Sequence, residues 1–261
     1  VLLVVLMALF VFWGAEQLER IFGKKDLSKE PKLRIAGAGA LFVLALAVVF
    51  IGQPSLEQKY AKLTFTRTET IPQLEGEDPI VNTTVYTADE MLSNRLVFIS
   101  PAEAFKSKYN QAINPVYLDV RSESDYNLYH IEDAVNVPLE NMQEIIPILL
   151  AEPPANTVYI VMSNDEAAAV DAWKMLVAST VPNVYILEGG VNNWIAFFGT
   201  DDEPLQPLPN PASDQLAYLV PAALGDNYES CDPSPQEYEH LEFEEKIQLE
   251  LKRDKSGGGC G

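Results

Sequence analysis

The sequence predicts an α/β domain built on a parallel sheet and preceded by a hairpin of two transmembrane helices. From residue 96 onward, short apolar stretches alternate with helical ones, which is typical of a mainly parallel sheet with helices on both faces. Before this region, residues 1–13 and 35–52 carry no charged side chain. A spanning helix needs about 20 apolar residues, so the second run fits well. The first is either cut short at Val1 or extended by residues 14–18.

The loop between the two apolar runs sets the expected topology. It holds six of the chain's 18 basic residues, namely Arg20, Lys24, Lys25, Lys29, Lys32 and Arg34. Short loops rich in Lys and Arg stay cytoplasmic. We therefore expect the hairpin in the inner (cytoplasmic) membrane and the large domain on the extracytoplasmic, periplasmic side. A signal peptide would need a basic start and a small-residue cleavage site, and neither flanks the first run. A buried core helix is the other alternative.

The rest of the chain is strongly acidic. The net charge is −20, and from residue 35 onward 34 Asp and Glu stand against 12 Lys and Arg. Such a surface repels nucleic acid, which is therefore not an expected partner. The chain has no C-x-x-C motif, no C-x-x-C-H motif and no cluster of metal ligands. We accordingly expect no cofactor and no metal site.

Four parts follow one another along the chain. The hairpin, residues 1–52, is followed by an extracytoplasmic connector, residues 53–95, with a strand in KLTFTRTET and a helix whose capping box is Thr87 and Glu90. The α/β domain covers residues 96–200, and residues 201–261 form a proline-rich, semi-rigid linker and an extended tail. The predicted elements of the α/β domain are the strand LVFIS, the helix PAEAFKSKYNQ, the strand PVYLDVR, the helix ENMQEIIPILL, the strand TVYIVMS, the helix DEAAAVDAWKMLVAS and the strand NVYILEGG.

Two stretches of the α/β domain resemble the rhodanese family. LDVRSESDYNLYHIEDAVNVPL is similar to a signature in which Asp-x-Arg precedes an acidic-aromatic pair and then Gly-His-Ile, Gly-Ala, Asn and Pro. Its matching positions are Asp119, Arg121, Tyr126, His130, Ile131, Ala134, Asn136 and Pro138, whereas Tyr129 and Asp133 stand where the family usually has glycine. VYILEGGVNNW is similar to the closing motif, with matches at Leu187, Gly189, Gly190 and Trp194. The resemblance implies a rhodanese-like fold over residues 96–200.

The resemblance also implies where a catalytic residue would lie. In catalytic rhodaneses the loop after the fourth strand holds a cysteine, followed by a cradle that usually contains Gly and Arg. Here the cysteine position is Ser163, followed by Asn164, Asp165 and Glu166. Sulfur transfer needs a thiolate that can carry a persulfide, and a serine hydroxyl cannot replace it. Because the two acidic side chains also repel thiosulfate, we expect a degenerate loop with no catalytic residue.

The matched residues are then expected to have structural roles. Asp119 and Arg121 should form an ion pair that ties a strand to the loop. His130 should fix a loop through backbone hydrogen bonds. Gly189 and Gly190 serve a turn with positive φ, and Trp194 covers the core.

The C-terminal region holds the only two thiols, Cys231 and Cys260. In an oxidising compartment they could form an intrachain disulfide. A thiol held by a partner or linked through a metal, and two unpaired thiols, are the alternatives. LEFEEKIQLELKR alternates like an edge strand or the arm of a hairpin. Ordering the glycine-rich end costs roughly 1–2 kcal/mol of conformational free energy per residue, and its residues have almost no side chains to offset this cost. A partner surface would have to hold the end in place, so we expect residues 250–261 to contact mainly another chain.

Together these features predict a non-catalytic rhodanese-like accessory or scaffold subunit of a larger membrane complex, of respiratory or energy-converting type. Its partners would be other subunits, their transmembrane helices and the lipid bilayer. The small residues at positions 36–40 would let another helix approach closely. One alternative is an active extracytoplasmic sulfurtransferase or sulfur carrier that uses Cys260. Another is a periplasmic assembly or redox factor.

Overall fold

The computed structural model of the chain describes residue 13 and residues 54–71, 80–151, 153–199, 205–220, 229–231 and 233–249. The chain divides into two compact units, Val1–Ser55 and Leu56–Gly261. The predicted transmembrane hairpin and the tail, residues 250–261, lie outside the described residues and stay predictions. In the described ranges, no helix combines the length and the apolar character needed to cross a membrane.

The second unit begins with elements that the sequence suggests to be a connector. They are helix α1 (Leu56–Tyr60), strand β1 (Thr64–Ile71), strand β2 (Ile80–Thr87) and helix α2 (Ala88–Ser93). The two strands pair antiparallel, and α2 starts at the predicted capping box, in which Thr87 and Glu90 bond each other's backbone amides. The connector packs on the α/β domain through Tyr60 and Phe65, whose ring centroids lie 6.3 and 5.9 Å from that of Trp173.

The predicted strands and helices of the α/β domain occur in the predicted order, and residues 123–136 and 190–198 add helices and strands that were not predicted. Its elements are β3 (Phe98–Ile99), α3 (Pro101–Tyr109), β4 (Asn114–Asp119), α4 (Glu123–Leu128), β5 (Tyr129–Ile131), β6 (Val135–Asn136), a 3-10 turn (Leu139–Asn141), α5 (Met142–Leu149), β7 (Thr157–Met162), α6 (Ala167–Ala178), β8 (Val184–Leu187) and α7 (Gly190–Phe198). Strands β3, β8, β7, β4 and β6 form one sheet in this order, and every pair in it is parallel. The predicted parallel sheet is confirmed.

The sequence of the central strand explains its position. All six residues of β7 are buried, as expected for a strand that has neighbours on both sides and helices on both faces. Trp173 of α6 and Trp194 of α7 are buried in the same core. Since the strands are parallel, their carboxyl ends meet at one edge of the sheet, and the loop that begins at Ser163 lies there.

The C-terminal region also belongs to this unit. Strands β9 (Gln206–Pro207) and β10 (Tyr218–Leu219) pair antiparallel, and β11 (Glu229–Cys231) pairs parallel with β5. The structure differs here from the predicted semi-rigid spacer, because β9 and β10 close a hairpin whose Leu216 side chain is buried in the core.

The predicted edge strand at the C-terminus is wrong for its described part. Residues 241–249 belong to no strand. Side chains hold this segment instead: Glu103 accepts hydrogen bonds from the amides of Lys246 and Ile247, both at 2.7 Å, and Tyr185 bonds the backbone of Gln248. Burial raises the pKa of Glu103 even though it accepts these two hydrogen bonds.

Candidate functional site

The degenerate loop lies between β7 and α6, and Ser163 is its first residue. Ser163 is fully buried. Its Oγ accepts a hydrogen bond from the amide of Ala169 at 3.3 Å, and its carbonyl accepts one from the amide of Val191 at 2.9 Å. Among the hydrogen bonds of the described residues, none joins this hydroxyl to a carboxylate or an imidazole. A serine without a base stays protonated, so the hydroxyl is not an activated nucleophile.

Two carboxylates occupy the space at the start of α6. Asp165 accepts hydrogen bonds from the amides of Glu166, Ala167 and Asp214, the last two at 2.7 Å. Asp214 accepts in return from the amides of Asp165 at 3.0 Å and Ala168 at 3.3 Å. Burial acts to raise the pKa of Asp165, but the hydrogen bonds that its carboxylate accepts outweigh burial and lower it. The amides of residues 165–168 therefore bond to the chain's own carboxylates.

Asn164 joins this loop to two other parts of the fold. Its Oδ1 accepts a hydrogen bond from Arg121 Nη1 at 3.0 Å. Its Nδ2 donates to Asp125 Oδ2 at 3.3 Å and to the carbonyl of Asp214 at 2.9 Å. The side chain of Asn164 is buried, and its three partners hold the loop in one position.

Asp119 and Arg121 form a buried ion pair directly below the loop. Arg121 Nε donates to Asp119 Oδ1 at 2.9 Å, and Nη2 donates to Oδ2 at 2.5 Å. Arg121 Nη2 also donates to the carbonyl of Tyr129 at 2.7 Å. The two side chains are 0–1 % exposed. One guanidinium thus links the end of β4 and the start of β5 to Asn164 of the loop.

The last loop residue, Glu166, is neutralised by a cation that lies outside the loop. Arg95, from the turn after α2, donates to Glu166 Oε1 at 2.7 Å and Oε2 at 3.1 Å, and to Glu188 Oε1 at 3.0 Å. Glu166 Oε1 also accepts from the amide of Gly189 at 2.7 Å. The expected repulsion of anions by Glu166 is therefore weakened, since its charge is paired. Among the described contacts, no cation bonds the carboxylates of Asp165 and Asp214.

The two glycines hold the start of α7 against this loop. Gly189 and Gly190 have φ of 67° and 60°, as predicted for a turn with positive φ. A Cβ atom on Gly190 would lie 2.1 Å from the carbonyl oxygen of Asp165 and 2.4 Å from that of Ser163. The amide of Asn192 donates to the carbonyl of Asn164 at 3.0 Å. The loop and the helix are thus in direct backbone contact.

His130 and Trp194 contact other aromatic side chains of the domain. The ring of His130 stacks on that of Tyr126 with centroids 4.2 Å apart, and Nδ1 lies 3.1 Å from the carbonyl of Tyr126. Burial lowers the pKa of His130. Trp194 is buried, and its ring contacts Phe198 at 4.6 Å. Both positions suit structural roles.

The two cysteines are described only in part. The backbone of Cys231 lies in β11, opposite Ile131 of β5. Cys260 lies outside the described residues, so pairing of the thiols stays a prediction. Over the ranges that the structure describes, no group of three or more His, Cys, Asp or Glu side chains is arranged to hold a metal ion.

Sequence reasoning missed Arg95 and Asp214 as parts of the site. Arg95 is the third residue before β3, and Asp214 lies beyond the last helix of the domain. Neither belongs to the motifs that carry the resemblance. Asp214 directly follows the proline-rich stretch, and nothing in the local sequence indicated its contact with Asp165, which lies 49 residues earlier.

The match to a protein-family model supports the fold. The model of the rhodanese-like domain family matches residues 102–197. Among solved structures, a rhodanese-related protein from Thermoplasma volcanium is 22 % identical, with 38 % of this chain and 91 % of that chain covered and a TM-score of 0.33. The rhodanese-like domain of an Anabaena protein is 21 % identical, with 51 % and 97 % covered and a TM-score of 0.33.

A third solved structure is a single-domain sulfurtransferase from Saccharomyces cerevisiae. It is 18 % identical, with 41 % of this chain and 94 % of that chain covered and a TM-score of 0.31. The search of curated proteins returned no match. The family match and the central parallel sheet together lead to one conclusion: residues 102–197 of the chain form a rhodanese-like domain.

Proposed function

We propose that the chain is a non-catalytic, rhodanese-like accessory subunit of a membrane protein complex, anchored by residues 1–52 with its domain on the extracytoplasmic side. Its domain would bind partner subunits rather than transfer sulfur. The geometry of the loop supports the non-catalytic role, and the sequence of residues 1–52 supports the membrane anchor.

The observation that carries the non-catalytic role is the state of the loop. Ser163 is buried and its Oγ accepts a bond from a backbone amide. The amides of Asp165 and Ala168 bond to the carboxylate of Asp214. Sulfur transfer needs an accessible thiolate and space for an anionic donor beside it. A hydroxyl at this position cannot form a persulfide, and fixed negative charges oppose thiosulfate.

The anchor is supported by sequence alone. The two uncharged runs and the six basic residues between them support a membrane anchor. A membrane-anchored domain that lacks a reactive group has one evident use, which is to hold other proteins. The respiratory or energy-converting character of the complex follows only from the expected location.

Thiosulfate:cyanide sulfurtransferase activity tests the non-catalytic role. The purified chain should show no turnover above the uncatalysed rate, and Ser163→Cys should restore little, because the carboxylates of Asp165 and Asp214 remain in place. Turnover that is abolished by Cys260→Ser would replace this proposal with the sulfur-carrier alternative. Turnover that survives that change would mean that Ser163 is not the position that corresponds to the catalytic cysteine.

Co-purification tests the accessory role. The tagged chain should bring down other membrane proteins in fixed stoichiometry from detergent-solubilised membranes. Deletion of residues 250–261 should reduce this recovery while the domain keeps its circular dichroism spectrum. Cys260→Ser in the full-length chain is the matched control, since it separates loss of the thiol from loss of the tail. Recovery of the chain alone, at every detergent concentration tried, would contradict the accessory role and favour a free-standing assembly or redox factor.

A further inference from the structure

The segment of residues 205–220 lies beyond the part of the chain that matches the rhodanese-like family, yet it forms direct hydrogen bonds with the degenerate loop. We name this segment the strap. Its ends pair as β9 and β10, and its turn presents Asp214 to the loop. The contact joins residues 49 positions apart in the chain, so tertiary packing and not the local sequence brings them together.

The contact is reciprocal at the level of single atoms. The amide of Asp165 donates to Asp214 Oδ1 at 3.0 Å, and the amide of Asp214 donates to Asp165 Oδ2 at 2.7 Å. The second oxygen of Asp214 accepts from the amide of Ala168 at 3.3 Å. The carbonyl of Asp214 accepts from Asn164 Nδ2 at 2.9 Å. Side-chain oxygens, amide and carbonyl of one residue are thus all bonded to the loop.

A second set of contacts holds the strap just after Asp214, at residues 215–217. Asn192 of α7 donates through Nδ2 to the carbonyl of Gln215 at 2.9 Å and accepts through Oδ1 from the amide of Ala217 at 2.7 Å. Between these two points Leu216 is 6 % exposed and belongs to the hydrophobic core. The strap is therefore anchored to α7 and to the core, and Asp214 is held in a fixed position against the loop.

We propose that the strap closes the rhodanese-like loop against solvent and small anions and that Asp214 is its latch. Asp214 keeps the amides of residues 165 and 168 bonded within the chain, and we expect the strap to shield the buried position 163 from solvent. A small anionic molecule has to displace a carboxylate that is tethered next to its partners, and a tethered group competes at a high effective concentration. The inference deepens the proposed function and rests on it, because it identifies what closes the loop of a domain without catalysis.

The accessibility of a thiol placed at position 163 measures this closure. The full chain carries Cys231→Ser and Cys260→Ser, so that Ser163→Cys supplies the single thiol, and its modification by iodoacetamide is followed by mass spectrometry. With the strap intact the thiol should react far more slowly than free cysteine. Asp214→Ala should accelerate the reaction about tenfold or more, because opening then breaks fewer hydrogen bonds.

Two further variants keep the result interpretable. Ser213→Ala changes the neighbouring exposed residue of the strap and should leave the rate within about twofold of the parent chain, as a surface change does. Asp214→Asn keeps one acceptor oxygen, so it should give an intermediate rate if Asp214→Ala proves too unstable to purify. Equally slow modification of the thiol in the parent chain and in both Asp214 variants would contradict the proposal that the strap closes the loop. The wild-type assay for sulfur transfer is a separate measurement, so failure of the strap and failure of the non-catalytic role are distinguishable.

Discussion

Replacement of Gly190 by alanine is expected to cost the domain more than about 4 kcal/mol of unfolding free energy, a size reserved for a few severe mechanisms. The added Cβ would lie 2.1 and 2.4 Å from two backbone carbonyl oxygens of the loop. Backbone cannot move aside as a side chain can. Relief of the overlap requires α7 to separate from the loop, which breaks the hydrogen bonds from the amides of Val191 and Asn192. Denaturant unfolding, followed by the fluorescence of the buried tryptophans, measures the loss.

Gly199→Ala is the matched control for this change. Gly199 also has a positive φ, of 74°, but a Cβ there would meet no atom within 4 Å. Its substitution therefore tests backbone strain without collision, for which about 1–3 kcal/mol is expected. Equal losses for the two variants would show that the contact of α7 with the loop is not tight, and would remove the explanation given for the second glycine of the motif.

Replacement of Arg121 by methionine is expected to cost about 3–5 kcal/mol, the usual result when one partner of a buried ion pair is removed. The carboxylate of Asp119 would then be buried without its cation, since both side chains are 0–1 % exposed. The carbonyl of Tyr129 and Oδ1 of Asn164 would lose a donor as well. Loosening of Asn164 should also speed the modification of a thiol at position 163, because the loop loses one of its fixed points.

Arg95→Met provides the comparison. Arg95 also pairs with a loop carboxylate, Glu166, but its side chain is 43 % exposed. Exposed pairs are worth about 0–1 kcal/mol, so the variant should unfold nearly like the wild type. A double variant, Asp119→Asn with Arg121→Met, should recover part of the stability lost, because no charge is then buried alone. A loss for Arg121→Met no greater than that for Arg95→Met would contradict the assigned role of the buried pair.

Several features of the domain were predictable because they depend on local sequence. The capping box at Thr87 and Glu90 satisfies backbone groups within four residues, so no distant contact decides it. The six buried residues of β7 form an uninterrupted apolar run, which is the pattern of a central parallel strand. The turn at Gly189 and Gly190 was likewise expected from the residues themselves, since positive φ favours glycine.

Other features were predicted wrongly or not at all because local pattern and tertiary packing disagree. Alternation of apolar residues at Ile247 and Leu249 predicted a strand, but the side chain of Glu103 bonds the backbone there instead of a paired strand. The prolines after residue 203 suggested a semi-rigid spacer. Pairing of β9 with β10 and burial of Leu216 override that tendency. Tyr60 and Phe65 of the connector pack on Trp173 for the same reason, which is burial of apolar rings.

The sequence by itself determined the order of strands and helices, the rhodanese-like motifs and the absence of a cysteine at position 163, because each of these depends on residue identity and spacing along the chain. Only the tertiary structure decided what occupies the loop. Arg95 and Asp214 reach it from opposite ends of the domain, and Asn192 holds the strap from a third element. Hydrogen bonds of this kind join residues that no periodicity relates, so they exist only once the sheet has brought its carboxyl edge, α7 and the strap together.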